Sequence, residues 1–164
     1  MIKKVVTLAC AGVVLAAAGG VAYADASGIF LKDTDAAKLL VNKYMESVMR
    51  SYRGEENVSF RGIVREGCDF WYYNDYNNDL IYNVSVNGGN AEKADYYVTF
   101  GSIDYSDRVY TVEARIDQQV KFKNCDETLE SSCLHTFIIE QNGRNMYITN
   151  DISDGTDKIL APAE

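Results

Sequence analysis

Between Asp35 and Tyr52 the apolar residues are Ala37, Leu40, Val41, Tyr44, Met45, Val48, Met49 and Tyr52. Their spacing alternates between three and one, the period of a helix with a single dry stripe. Lys38, Asn42, Lys43, Glu46, Ser47, Arg50 and Arg53 fall on the opposite face. Thr34 or Asp33 is suited to cap the start, and Gly54 to end the helix in the left-handed conformation. A stripe this wide needs a broad apolar surface to cover it, so the helix must lie on other secondary structure.

That surface is legible downstream. From Ala94 the period changes to two, with Tyr96, Val98 and Phe100 alternating against Tyr97, Thr99 and Gly101. After a turn at Tyr105-Ser106-Asp107, a long strand carries Tyr110, Val112, Ala114, Ile116, Gln118, Val120 and Phe122 on one face. Val109, Thr111, Glu113, Arg115, Asp117, Gln119 and Lys121 occupy the other. A strand of this length must bend as it twists. Leu134 to Glu140 is a further strand, Asn142-Gly143 signals a hairpin, and Asn145 to Asn150 returns. Residues 151–164 form a polar tail. The segment Glu55 to Asn90 has no clear period. Val58 to Arg65 reads as a short strand or a helical turn, Asp69 to Tyr73 as a dense aromatic loop, Asn74 to Asp79 as a polar turn, and Leu80 to Val86 as weakly alternating.

Met1 to Ala24 reads as a secretory leader: Lys3 and Lys4, an apolar run from Val5 to Ala18, then Ala22-Tyr23-Ala24 before a cleavage point at Asp25. A retained anchor and lipidation at Cys10 are the rival readings; the glycines and the cleavage pattern favour removal. The domain plan is therefore a leader over 1–24 and one α+β domain over 25–164, with its core at about 34–152 and a secreted or cell-envelope location. Loss of Lys3 and Lys4 with the leader takes the formal net charge from −8 to −10. That acidity argues against nucleic acid as a partner, and no later apolar run is long enough to insert in a membrane.

Export permits disulfides. Cys125 and Cys133 flank Asp126 to Ser132, read as a polar loop between strands, and a bridge closing it would contribute about 2.5 kcal/mol. Cys68 is left over and reads as a buried thiol.

Sequence chemistry is sparse. His135 is the only histidine. Its strand parity groups it with Cys133, Phe137 and Ile139, so a pocket on that face would place it as a general base near neutral pH. Glu113 is an alternative acid but has the opposite parity to Tyr110. Asn150 to Asp157 has the flavour of a calcium loop, yet Ile152 occupies a ligand position and no glutamate closes it. No zinc set, phosphate loop or nucleophile elbow occurs, so no metal and no cofactor are expected. Trp71, Tyr72, Tyr73 and Tyr76 cluster where neither period demands core residues, which marks a contact site for a glycan, a peptide or a protein. The rival is that Trp71 plugs an open end of the sheet.

One amphipathic helix followed by a meander of long antiparallel strands resembles the NTF2-like, cystatin-like cone, in which a curved sheet wraps the helix around a pocket. His135-Thr136-Phe137-Ile138-Ile139-Glu140, Asn142-Gly143 and Tyr147-Ile148-Thr149-Asn150-Asp151 are similar to the closing hairpin of NTF2-like segments in secreted Gram-positive proteins, including those ahead of an amidase domain. Asn145 and Met146 stand where such hairpins often carry a Trp. The fold hosts enzymes and non-enzymes alike, so the resemblance implies a pocket and no activity. The expectation is a non-catalytic binding module whose pocket, lined by Trp71, Tyr73, Tyr110 and His135, receives a small molecule, a glycan or a protein segment. The alternative is an enzyme using His135 as base. Pairing of two copies through the sheet is a further expected partnership.

Overall fold

The computed structural model describes residues 33–56, 58–87, 89–126, 128–154 and 158–160. The leader over Met1–Ala24, Cys10 and Gly155–Asp157 of the calcium-like run lie outside the described residues. The chain divides into two compact units, Met1–Leu39 and Leu40–Glu164. Of the first, only Asp33–Leu39 is described, and it is helical. The second unit holds the sheet.

The elements are α1 (Asp33–Tyr52), α2 (Asp69–Asn87), β1 (Ala91–Ser106), β2 (Val109–Phe122), β3 (Thr128–Asn142), β4 (Asn145–Ser153) and β5 (Lys158–Leu160). The sheet is antiparallel in the order β1-β2-β3-β4, with β5 beside β3 at Thr128–Glu130. The class is therefore α+β. Among the described residues no helix is long and apolar enough to cross a membrane.

The alternation read from β2 matches its burial. Tyr110, Val112, Ala114, Ile116 and Val120 are buried, and the intervening residues are not. Opposite them on β3, Phe137 and Ile139 are buried, and Ile148 of β4 pairs with Ile139. Fully burying each large side chain of this set contributes about 1.5–3 kcal/mol. Within the second unit, α1 lies on this face. The Tyr96 hydroxyl donates to the Asn42 carbonyl at 3.1 Å, and the Tyr44 and Tyr52 rings meet Phe137 and Phe122 at 5.9 and 6.2 Å. The dry stripe is wider than its apolar residues suggest. Ser47 and Ser51 are also buried, and each hydroxyl donates to the carbonyl four residues back. Bonding back to the preceding turn satisfies a buried hydroxyl within the helix itself.

Besides a register shift at the start of β1, between Ala91 and Lys93, two β-bulges shape the sheet. One in β1 between Phe100 and Ile103 keeps both residues paired with inward-facing Ala114 and Val112. The other lies in β4. Ile148 pairs with Ile139, Asn150 with Ile138 and Asp151 with Phe137, leaving Thr149 as the extra residue. Turns close the ladders. Asp107 and Arg108, at φ 53° and 65°, make the two-residue β1–β2 loop, the I′ geometry. At the β3–β4 turn the looping pair is Gly143-Arg144, because Asn142 is still paired with Asn145. Gly143 alone has positive φ, at 63°, the II′ pattern; the expected Asn-Gly turn is thus displaced by one residue.

Three expectations are corrected. The aromatic stretch and the weakly alternating run are one helix, α2, and neither a loop nor a strand. The polar run Thr128 to Ser132 belongs to β3, with Thr128 paired to Lys121. As a result Cys125 and Cys133 cannot form the expected bridge. Cys125 lies in the turn, whereas Cys133 is five residues into β3, opposite Ile116. At about 3.3 Å per residue the climb from Thr128 to Cys133 is roughly 17 Å, far beyond the ~7 Å limit between bridged Cα atoms. Cys68, Cys125 and Cys133 are all free thiols.

Candidate functional site

The inner face of the sheet is continuously apolar only toward the β3–β4 turn; the other end is polar at His135, Ser131 and Gln118 and apolar again at Val120. Along β3 the inward positions run Ile139, Phe137, His135, Cys133 and Ser131, and the β2 partners of the last two are Ile116 and Gln118. The apolar end packs as core. The polar end, covered by α1 and α2, floors a cavity of about 590 Å³. Tyr44, Met45, Val48 and Ser51 reach it from α1, and Asp69, Phe70, Tyr73, Asn74 and Asn77 from α2. Gln118, Cys133, His135 and Asp151 reach it from the sheet.

At its floor His135 Nδ1 lies 2.9 and 3.0 Å from the two carboxylate oxygens of Asp151. The two side chains are only 16% and 11% exposed. With a carboxylate this close, Nδ1 carries the proton and donates it, which turns Nε2 out as the remaining ring nitrogen. The ring stacks on Phe137 at 5.6 Å and 10°. The β4 bulge makes this pair. Counting outward from buried Ile148, simple alternation points Asp151 away from the cavity; the extra Thr149 reverses the parity and turns Asp151 inward. The bulge is held locally, with the Thr149 hydroxyl donating to the Ile138 carbonyl at 3.3 Å. The Cys68 thiol lies 3.1 Å from the Arg65 carbonyl and 3.8 Å from that of Thr149. The free edge of β4 is met by the preceding segment. Arg65 N–H donates to the Ile148 carbonyl at 3.0 Å, and Ile148 N–H to that of Ile63 at 2.9 Å.

One wall is a polar–aromatic network. The Tyr44 ring meets Phe60, Phe70 and Phe137 at 5.5, 5.8 and 5.9 Å. Its hydroxyl donates to Asn74 Oδ1 at 2.9 Å, and Asn74 Nδ2 donates to the Phe70 carbonyl at 2.7 Å. Burial, and next the Asp151 carboxylate, push the Tyr44 phenol far above its ordinary range, so it stays a neutral donor. Tyr73 stacks on Phe70 at 6.2 Å and 16°, and is 59% exposed.

Of the residues expected at a pocket, His135 and Tyr73 line this cavity. Trp71 lines a separate hollow of about 180 Å³ with Val58, Phe60, Arg61 and Asp75. Tyr110 lines neither: it is 1% exposed, packed in the core with its ring 4.4 Å from Tyr105. Glu113 faces away, where Ser102 donates to it at 2.8 Å. Tyr72 and Tyr76 are exposed on the outside of α2. Cys133, placed by the sequence in a bridge, is a buried wall residue. Asp151, Asn74 and Gln118 line the cavity although no sequence pattern assigned them a role in a pocket. The signal for the cavity floor was present as Ser131, Cys133 and His135, three polar or small residues on strand positions that an uninterrupted core would fill with large apolar ones. Among the described residues no group of three His, Cys, Asp or Glu side chains is arranged to hold a metal ion.

Comparison with known proteins finds no matching family model, no matching curated protein and no matching solved structure.

Proposed function

We propose that this chain is an exported binding module that takes a small molecule into the cavity between α1, α2 and the polar end of the sheet. The observation that carries the reading is the His135–Asp151 pair. A half-buried imidazole with one nitrogen fixed by a carboxylate leaves the other as a directional polar anchor in a cavity lined by aromatic rings and amides. The enclosed volume lies in the range of small-ligand sites. Two helices ahead of a four-strand antiparallel meander support the NTF2-like, cystatin-like layout for this module, and the leader-like Met1–Ala24 supports export.

The same pair supports a second reading, an enzyme with His135 as base, because orienting Nδ1 by a carboxylate is how an imidazole is readied to accept a proton at Nε2. Binding is the preferred reading, because a cavity of this volume with one fixed polar anchor suffices to hold a ligand without further chemistry.

The chain has a single histidine, so its ring proton is one resolved NMR signal from the cavity floor. A fragment library titrated against the folded protein is expected to yield compounds that move this signal saturably and raise the melting temperature. A library in which no compound moves it overturns the proposal. A hit consumed by the native protein and left intact by His135→Gln makes the protein an enzyme.

A further inference from the structure

The charge of the cavity restricts what it can take. Asp69 stands at the first turn of α2 and Asp151 at the floor, and no Lys or Arg is among the described residues lining the cavity. The histidine already faces Asp151, so the carboxylates outnumber any cation available to balance them. Around them stand π faces: the Phe70–Tyr73 stack on α2, and Tyr44 with Phe60 on the adjoining wall. Amide groups of Asn74, Asn77 and Gln118 complete the polar lining. Carboxylates set among aromatic rings are the chemistry that recognises an organic ammonium, which draws on both the ring quadrupole and the full charges. An anionic ligand entering this space would meet two carboxylates with no guanidinium or ammonium opposite them. The field of the whole chain acts in the same direction, with a formal net charge of −8.

We infer that the cavity binds a cationic amine, with its ammonium held between Asp69 and Asp151 against the Phe70–Tyr73 stack and its apolar portion on Tyr44 and Phe60. This rests on the cavity being a ligand site and adds the class of ligand. His135 Nε2, the ring nitrogen not bonded to Asp151, is the acceptor available to one ammonium N–H. Tyr73, exposed at the mouth, is the first ring that an entering cation meets.

The test uses three probes of one shape: benzylamine, benzyl alcohol and benzoate, each titrated into the full chain while the His135 ring signal is followed. Benzylamine is expected to bind about tenfold more tightly than benzyl alcohol, with benzoate weakest. Raising sodium chloride from low to roughly molar concentration should erode the amine's advantage and leave the alcohol unaffected. Asp69→Asn removes the charge at nearly constant shape and should weaken benzylamine about threefold without changing benzyl alcohol. Tyr73→Leu, at an exposed position, should weaken benzylamine as well. Equal binding of amine and alcohol overturns the cation assignment and leaves the cavity as a ligand site. Tighter binding of benzoate overturns it too, because the imidazole would then set the charge. If none of the three moves the signal, the assignment fails; the binding proposal fails with it only if the wider fragment library is also silent.

Discussion

Tyr44→Phe removes one hydroxyl and nothing else, and the surrounding geometry sets its cost. The Tyr44 hydroxyl donates to Asn74 Oδ1 at 2.9 Å. The amide orientation is fixed by its other end, where Asn74 Nδ2 donates to the Phe70 carbonyl at 2.7 Å. Asn74 is 3% exposed, so water cannot replace the lost donor. The substitution therefore loses a net hydrogen bond and strands a buried acceptor, a combined cost of about 1–3 kcal/mol. Urea unfolding should show that loss as a shifted midpoint with an unchanged slope. In the double variant Tyr44→Phe/Asn74→Leu, the two losses should fall short of their sum by at least about 1 kcal/mol, because the second change removes the acceptor stranded by the first. The pH dependence follows from the raised phenol. The unfolded tyrosine ionises near its ordinary value of 10.0, whereas the folded one holds its proton well above it. Its contribution to stability is thus complete below about pH 10 and is lost as pH rises beyond that, by up to about 1.4 kcal/mol per pH unit. Phenylalanine has no such loss, so the gap between the native protein and Tyr44→Phe should narrow above about pH 10. A variant as stable as the native protein at neutral pH, or an additive double variant, would refute the pairing of Tyr44 with Asn74.

Two further outcomes test the strand register. Gly143→Ala should cost about 1–2 kcal/mol in urea unfolding from the left-handed φ alone, since a Cβ there meets nothing, while Asn142→Ala should change stability by less than about 0.5 kcal/mol; the reverse ranking would return the turn to Asn142-Gly143. Alkylation in denaturant without reductant should label Cys68, Cys125 and Cys133 completely, and in the native state Cys133 should react last, being 5% exposed; protection of a Cys125–Cys133 pair in denaturant would mean that the β2–β3 register is wrong.

The periodic parts of the fold were legible because their buried faces are made of apolar atoms. The α1 stripe and the β2 alternation each bury a face that is almost entirely hydrocarbon, so hydropathy and burial coincide. Helix α2 was not legible for the opposite reason. Its inward row is Phe70, Asn74, Asn77 and Ile81, spaced by four, three and four, a helical stripe with amides at its centre. Asn74 can be buried only because a tyrosine thirty residues earlier and the helix's own carbonyl satisfy it. Hydropathy scores those positions as loop. The β3 extension failed in the same way: Thr128 to Ser132 is polar apart from Leu129, and pairing with β2 on one side and β5 on the other makes it strand.

The candidate site shows a limit of a different kind. His135 shares a face with Cys133, Phe137 and Ile139, as its parity implies, since β3 is unbroken from Ile139 to Cys133; that this face is the inward one came from the structure. Its partner could not be placed by parity at all. Ile148 and Asp151 are three residues apart, an odd separation, which in a regular strand puts them on opposite faces. Both nevertheless sit opposite inward-facing residues, Ile139 and Phe137. Only an extra residue between them satisfies both pairings, and it is stabilised by groups scattered along the chain: Thr149's own hydroxyl on Ile138, and the Cys68 thiol beside the Thr149 carbonyl. Cys68, which the sequence offered as a stray core thiol, thus has a place in the argument: it touches the distortion that aims Asp151. The histidine's chemistry is set by that carboxylate, and the carboxylate's direction by a break in the periodicity from which the rest of the sheet was read.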